Sequence, residues 1–237
     1  MKKAMFFLLA IILTPVLISG QELLNTRHNE VDDQGRRHGH WKVFDVNGNL
    51  KFEGDFKHGT PYGVFKYYYP TGQLKAESVI SNQGKVARTR VYHKNGELLA
   101  RGKYMDEQKD SIWRYYSDFD GALLSEEIYD KGAKDSIWRT FYPEGGVAEE
   151  IAYVDDKKNG PWKQFFTDGS LKLKASYVDD KLEGLMTVYH TNGKVNISGT
   201  YTNNFKDGIW MYFNEDAENI KKEVYEEGVL ISREIYE

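Results

Sequence analysis

Few groups in this sequence are able to do chemistry. His38 and His40, in Arg36-Arg37-His38-Gly39-His40-Trp41, alternate onto one side of any strand they occupy, and His58 follows one period later. Imidazoles so spaced suit a transition metal. Coordination needs a third ligand, however, and His58 aligns only loosely with His38, so exposed polar side chains are expected and no metal site is assigned. The run Asp155-Asp156-Lys157-Lys158-Asn159-Gly160 has the turn residues of a calcium loop. Lys157 stands where a carboxylate is required and Phe166 where the bidentate glutamate belongs, so a turn is expected, with Asn204 to Gly208 as its counterpart. No Gly-x-Ser-x-Gly elbow, phosphate loop or His-Glu-x-x-His occurs. The expectation is a non-enzyme with no catalytic residues and no cofactor.

The hexapeptide Lys-Asp-Ser-Ile-Trp-Arg occurs twice, at residues 109–114 and 134–139. It is one visible part of a longer regularity. Aligned on the small residue two before each Trp, the anchors Gly39, Gly63, Ala87, Ser111, Ser136, Gly160, Gly184 and Gly208 recur every 24 residues, with a single spacing of 25. Two residues on stand Trp41, Phe65, Thr89, Trp113, Trp138, Trp162, Met186 and Trp210, and five on there is always Phe or Tyr. A turn glycine follows in all units but the last, where Ala217 takes its place. An aliphatic residue comes next, and an aromatic usually closes the unit.

Each unit therefore predicts a β-hairpin, an aromatic strand turning at glycine into a strand of alternating pattern such as Leu171 to Tyr177. The third apolar position of that second strand is often small, as at Gly54, Ser78, Gly102, Ala175 and Gly199, leaving room for a neighbouring Trp to lie on backbone. The fold expected is all-β: an elongated, single-layer antiparallel sheet of eight stacked hairpins. Its sixteen strands, about 4.8 Å apart, would span roughly 75 Å. A propeller is the competing architecture, but blades of four strands need about 40–45 residues. Ala87 and Thr89 in the third unit, and Ala217 in the last, are expected to weaken the packing of their hairpins.

Trp and the Phe/Tyr three residues later project to opposite faces. One face thus carries a Trp column and the other a Phe/Tyr column flanked by Lys and Arg. Lys66, Tyr68, Arg90, Tyr92, Arg114, Tyr116, Arg139, Phe141, Lys163 and Phe165 are the candidate binding residues. A basic, aromatic stripe suits an acidic protein, and equally a glycan or an anionic lipid surface. The structural alternative is an aromatic ladder that merely stabilises a single layer, with Lys and Arg stems lying over the rings. Asp110-Ser111-Ile112 and Asp135-Ser136-Ile137 resemble a bacterial O-glycosylation acceptor, which makes Ser111 and Ser136 candidate modification sites; Ser standing in for an anchor Gly is the simpler reading.

Gly160-Pro161-Trp162, Phe165, Gly169, Leu171 and Tyr177 make the fullest copy of a unit that resembles the MORN repeat, in the bacterial variant grouped as YwqK-like and labelled antitoxin. The resemblance runs from about Arg37 to Tyr225. It implies scaffolds that bind proteins or sit at membranes, and it adds an antitoxin or immunity-like role as an alternative.

Composition narrows the setting. Residues 1–20 combine Lys2 and Lys3 with an apolar stretch and small residues Ser19 and Gly20, a pattern that predicts a cleaved secretory signal and a periplasmic or secreted protein. Residues 21–36 read as a polar lead-in and 37–237 as the repeat array. The net charge is −4, and loss of Lys2 and Lys3 makes the remainder more acidic, so a nucleic-acid partner is not expected. With no cysteine there is no disulfide framework, and stability must come from the sheet. Exposed first and last strand edges would allow pairing between copies, with Val229 to Glu237 placed to cover one of them.

Overall fold

A computed structural model describes residues 28–236. The expected leader, residues 1–20, lies outside the described residues, as does the start of the polar lead-in. Within the described residues all twenty regular elements are strands, joined in one antiparallel sheet. The short β1 (Glu30–Val31) precedes the first unit, β2 (Arg37–Phe44) with β3 (Leu50–Lys57). β4 (Thr60–Tyr68) with β5 (Leu74–Ser81), β6 (Val86–Tyr92) with β7 (Leu98–Met105), and β8 (Gln108–Tyr116) with β9 (Leu123–Asp130) form units two to four. The fifth opens on a divided strand, β10 (Ala133–Lys134) and β11 (Ser136–Phe141), and returns in β12 (Val147–Val154). β13 (Lys157–Phe165) and β14 (Leu171–Val178) form the sixth. The seventh is again divided, into β15 (Lys181–Leu182) and β16 (Gly184–Tyr189), before β17 (Val195–Thr202). β18 (Phe205–Phe213) and β19 (Asn219–Glu226) form the eighth, and β20 (Val229–Ile235) pairs with β19 and becomes the last edge. The sixteen expected strands are all present; the extra elements are two divided strands and the two terminal additions.

Two kinds of turn alternate, and local chemistry sets each. Inside a unit, Asp45 N–H donates to Asn49 O at 2.8 Å while Gly48 N–H donates to Asp45 O at 3.1 Å. Gly48 sits at φ 84°, the left-handed conformation that glycine adopts without a Cβ penalty. Ala217 holds the same place at φ 68°, so the last unit makes the turn at a steric cost. Between units the turns are two-residue links with positive φ at both positions, such as Asp155 (47°) with Asp156 (69°) and Asn203 (52°) with Asn204 (72°). That geometry matches the right-handed twist of the flanking strands and is tolerated best by Asn, Asp and Gly.

The anchor residue has a specific task. Glu53 pairs with Lys66 but Asp55 pairs with Tyr62, so Gly63, Val64 and Phe65 together oppose Gly54. The same slip separates Arg101–Arg114 from Lys103–Asp110, and Ile151–Trp162 from Tyr153–Lys158. Each is a bulge with two extra residues, an even number that leaves the facing of the side chains unchanged. Gly63 (φ 74°), Gly160 (109°) and Gly208 (66°) make the bend easily, whereas Ser111 (59°) and Ser136 (57°) make it against their Cβ. The third unit has no bulge where it joins the second. Its strand runs in unbroken register from Ser81–Val86 to Ala76–Val91. A four-residue turn, Asn82 to Lys85, absorbs the two residues that the bulge takes elsewhere.

The core is a ladder along the first face. Trp113 and Trp210 are each 2 % exposed. They lie flat on the backbone of Gly102 and Gly199, where a Cβ would come within 2.2 Å of the Trp113 ring and 2.1 Å of the Trp210 ring. Phe65 uses Gly54 in the same way. Neighbouring units supply edge-on rings, Tyr104 at 4.8 Å from Trp113 and Tyr201 at 5.1 Å from Trp210, and each such pair adds about 0.5–1.5 kcal/mol beyond the burial itself. Backbone carbonyls of Lys103 and Thr200 accept the two indole N–H groups at 3.0 and 3.2 Å. Cations close the column from above: the ammonium of Lys134 is 4.3 Å from the Trp138 ring centre, and that of Lys206 is 4.3 Å from Trp210. These lysines stand two residues before the anchor. In the third unit Thr89 replaces the Trp, and Ser78 of the preceding strand stands where Phe65, Trp113 and Trp210 have glycine. The two hydroxyls bond to each other at 2.8 Å, and both residues are buried. The position is thus filled by a satisfied polar pair.

Candidate functional site

The second face is built by register. Because the bulges between units add two residues, and the one-residue shifts near the hairpin turns lie beyond the row, the residue three past each anchor stays aligned across the whole sheet with a residue of each returning strand. The row runs Lys42, Glu53, Lys66, Glu77, Arg90, Arg101, Arg114, Glu126, Arg139, Glu150, Lys163, Lys174, Thr187, Ser198, Met211 and Lys222. Each member directly opposes the next, with strands about 4.8 Å apart. Over long stretches the signs alternate, as cross-strand pairing favours.

The five charged candidates, Lys66, Arg90, Arg114, Arg139 and Lys163, lie along this row, and most have partners. Arg114 Nε is 2.5 Å from Glu126 Oε1, and Arg139 Nε is 2.9 Å from Glu150 Oε1. Lys163 Nζ reaches Glu150 Oε2 at 3.9 Å, and Arg90 reaches Glu77 at 4.0 Å with its side chain 64 % exposed. Lys66 is half-buried between Glu53 and Glu77 in register. Exposed ion pairs of this kind contribute about 0–1 kcal/mol each.

Tyr68 and Tyr116 share this face with the charges. Tyr68 donates its hydroxyl to Glu53 Oε1 at 2.5 Å, and its pKa is pushed up to about 12 by desolvation and then by that carboxylate. Glu53 is in turn held below the usual carboxylate range, first by the Tyr68 hydroxyl and then, past an opposing desolvation, by Lys42 and His40. Tyr116 lies beneath Arg101, whose guanidinium is 5.7 Å from the ring centre. The main-chain carbonyls of this column stitch the units together: Tyr69 donates its hydroxyl to Tyr92 O at 2.8 Å, and Tyr142 donates to Phe165 O at 2.6 Å. Phe141 is half-buried at the end of β11.

Ser111 and Ser136 are both exposed at their bulges. Ser111 donates its hydroxyl to Asp110 Oδ2 at 2.7 Å, and Ser136 bonds Asp135 Oδ2 at 3.4 Å. Of the histidines at the first unit, two face carboxylates: His40 Nδ1 lies 3.0 Å from Asp55 Oδ1, and His58 Nδ1 lies 2.7 Å from Asp32 Oδ2. Asp32 also accepts from Arg36, so residues of the polar lead-in clasp the first hairpin. Between Lys174 and Lys222 the row is neutral, and an open depression of ≈ 580 Å³ lies against Lys174, Thr187, Tyr189, Ser198 and Phe213.

Sequence reasoning read this face as basic and missed its acidic half. Glu53, Glu77, Glu126 and Glu150 recur 14 or 15 residues after the anchor, so the column was there to be read. Its meaning depended on knowing that those residues stand in register with the Lys and Arg of both neighbouring strands.

The family model described as MORN repeat variant matches residues 37–58, 61–82, 158–179 and 182–203, which are units one, two, six and seven. Such repeats are generally protein- or membrane-binding modules. No curated protein matches the chain. Among solved structures the chain is similar to one described as the crystal structure of TarM, with a TM-score of 0.31 and 18 % identity over 40 % of this chain and 19 % of that one. It is also similar to a mutant Tc holotoxin pore of Photorhabdus luminescens, with a TM-score of 0.20 and 12 % identity over 79 % of this chain and 13 % of that one. The chain thus spans less than a fifth of the length of either. Four of its eight units match the MORN repeat variant, and the other four repeat the same hairpin within the same sheet.

Proposed function

We propose that this chain is a non-catalytic repeat scaffold that holds a protein partner outside the cytoplasm and receives it on the second face of the sheet. The observation that supports this reading best is the aligned row of Lys, Arg and Glu, half-exposed or exposed across successive units and underlain by Tyr and Phe. A long surface of fixed charge spacing suits an extended contact with another protein, in which charge complementarity sets specificity and on-rate. The character of the repeat supports binding, and the sequence of residues 1–20 supports export.

The experiment is affinity capture from the native envelope fraction with residues 21–237, run beside the Arg114→Glu/Arg139→Glu double variant. One protein recovered by the parent chain and depleted at least fivefold with the variant is the expected outcome. Equal recovery of every protein with both chains removes the second face from the proposal. Fractionation tests the address: the mature chain should appear in the periplasm or medium, and a cytoplasmic chain retaining residues 1–20 would refute export.

A further inference from the structure

The alternating row breaks at the third unit. Where β3, β5, β9 and β12 contribute Glu53, Glu77, Glu126 and Glu150, β7 contributes Arg101. Arg90, Arg101 and Arg114 therefore stand side by side on three adjacent strands, Arg90 opposite Arg101 and Arg101 opposite Arg114. The neighbouring row changes with it. Val64 opposes Val79 in the second unit and Ile112 opposes Ile128 in the fourth, but in the third the pair is Arg88 with Lys103. Arg88, Arg90 and Arg101 are exposed. Glu77 lies 4.0 Å from Arg90, Glu126 pairs with Arg114, and Asp110 pairs with Lys103 at 2.5 Å; among the described residues Arg88 and Arg101 form no ion pair. Like charges placed directly opposite weaken a sheet, and Arg101 has the Tyr116 ring beneath it rather than a carboxylate beside it.

We propose that these cations form a binding site for an extended acidic segment of a partner protein, one carrying Asp or Glu at alternate positions. The inference rests on the scaffold reading above and locates its contact. Arg88 and Arg90 are two residues apart on β6, as Arg101 and Lys103 are on β7, which separates them by about 6.8 Å along the strand. An extended peptide presents its i and i+2 carboxylates at the same spacing, and guanidinium groups take carboxylates in paired, charge-assisted bonds. An anionic membrane fits the surface less well. A broad charged plane would meet Glu77, Asp110 and Glu126 around the patch, on a chain whose net charge is −4.

Arg101→Glu separates binding from folding because it restores the alternation found in the neighbouring units. The probe is a fluorescent peptide with Glu at alternate positions, with its Gln analogue and phosphatidylserine vesicles as comparators. Salt-dependent binding of the Glu peptide, lost at least tenfold in Arg101→Glu while Tm holds or rises, is the expected result. Arg88→Val/Lys103→Val, which copies the second unit, gives the same loss if Arg101→Glu fails to fold. Equal binding by parent and variants, or vesicle binding without peptide binding, overturns the site. Partner capture on the Arg101→Glu chain then tells the two readings apart: undiminished capture leaves the scaffold standing without this contact, and no capture by either chain removes both.

Discussion

The third and sixth units occupy equivalent places in the same sheet and solve the same problems differently. In the sixth, Gly160 at φ 109° forms the bulge, Trp162 opposes Ala175, and Lys163 stands between Glu150 and Lys174, after which the row meets the neutral Thr187. In the third, a longer turn replaces the bulge, Thr89 bonds Ser78 in place of an aromatic, and Arg90 stands between Glu77 and Arg101, after which the row meets a third arginine, Arg114. Both still pair in full with their neighbours. The repeat therefore constrains the register of the strands more tightly than the identity of the residues that secure it, and a unit relieved of its Trp and bulge keeps its place while its surface changes.

The largest effect that tests this contrast is Trp113→Ala. It empties a fully buried site next to the third unit and should cost about 3–5 kcal/mol in urea unfolding. A loss below about 1 kcal/mol would mean that the aromatic ladder does not hold the sheet.

A polar insertion that remains ionised comes next. Glu223, 2 % exposed, accepts from Tyr212 at 2.7 Å, Tyr225 at 3.0 Å and Arg233 at 2.8 Å. Glu223→Gln should cost about 1.5–3 kcal/mol through lost charge-assisted bonds. These donors, the Tyr212 hydroxyl foremost, hold the Glu223 pKa down to about 2 from an ordinary 4.5. The stabilisation is therefore complete above pH 4.5 and is lost as pH falls toward 2. The Gln variant should show a shallower loss of stability across that window, and superimposable acid profiles would contradict the account.

For the neutral pair, Thr89→Ala leaves the buried Ser78 hydroxyl without its partner and should cost about 1–3 kcal/mol. The double variant Ser78→Ala/Thr89→Val should recover part of that loss. Strict additivity in the double-mutant cycle would show the hydroxyls to be uncoupled.

The smallest effect is also the sharpest, because its sign reverses between units. Ser136→Gly should stabilise by about 0.5–1 kcal/mol, since Ser136 holds a left-handed φ of 57°. Ala87→Gly, at the same place in the repeat but without the bulge, should destabilise by about 0.5–1 kcal/mol. The same sign at both positions would mean that the loop of the third unit does not replace its bulge.

The hairpins were legible in the sequence because their causes are local. The turn glycines, the alternation in strands such as Leu171 to Tyr177, and the odd spacing of Trp162 and Phe165 each fix conformation or facing within a few residues. The small residues beneath the Trp column could be named for the same reason, although Ser78 proved to hold a hydrogen bond rather than a ring. The expected weakness at Thr89 also takes a different form, a buried and satisfied pair of hydroxyls.

The sequence by itself determined the period, the number of hairpins and which side chains share a face, since these follow from turn chemistry and the two-residue repeat of a strand. Only the tertiary structure decided who opposes whom. That depended on the two-residue slip at the bulges between units and on its replacement by a turn at Asn82 to Lys85, which set Arg101 between Arg90 and Arg114 while Glu126 meets Arg114 and Arg139. Register sums over every preceding turn and bulge, so the charge of the second face is a property of the assembled sheet, and no single repeat contains it.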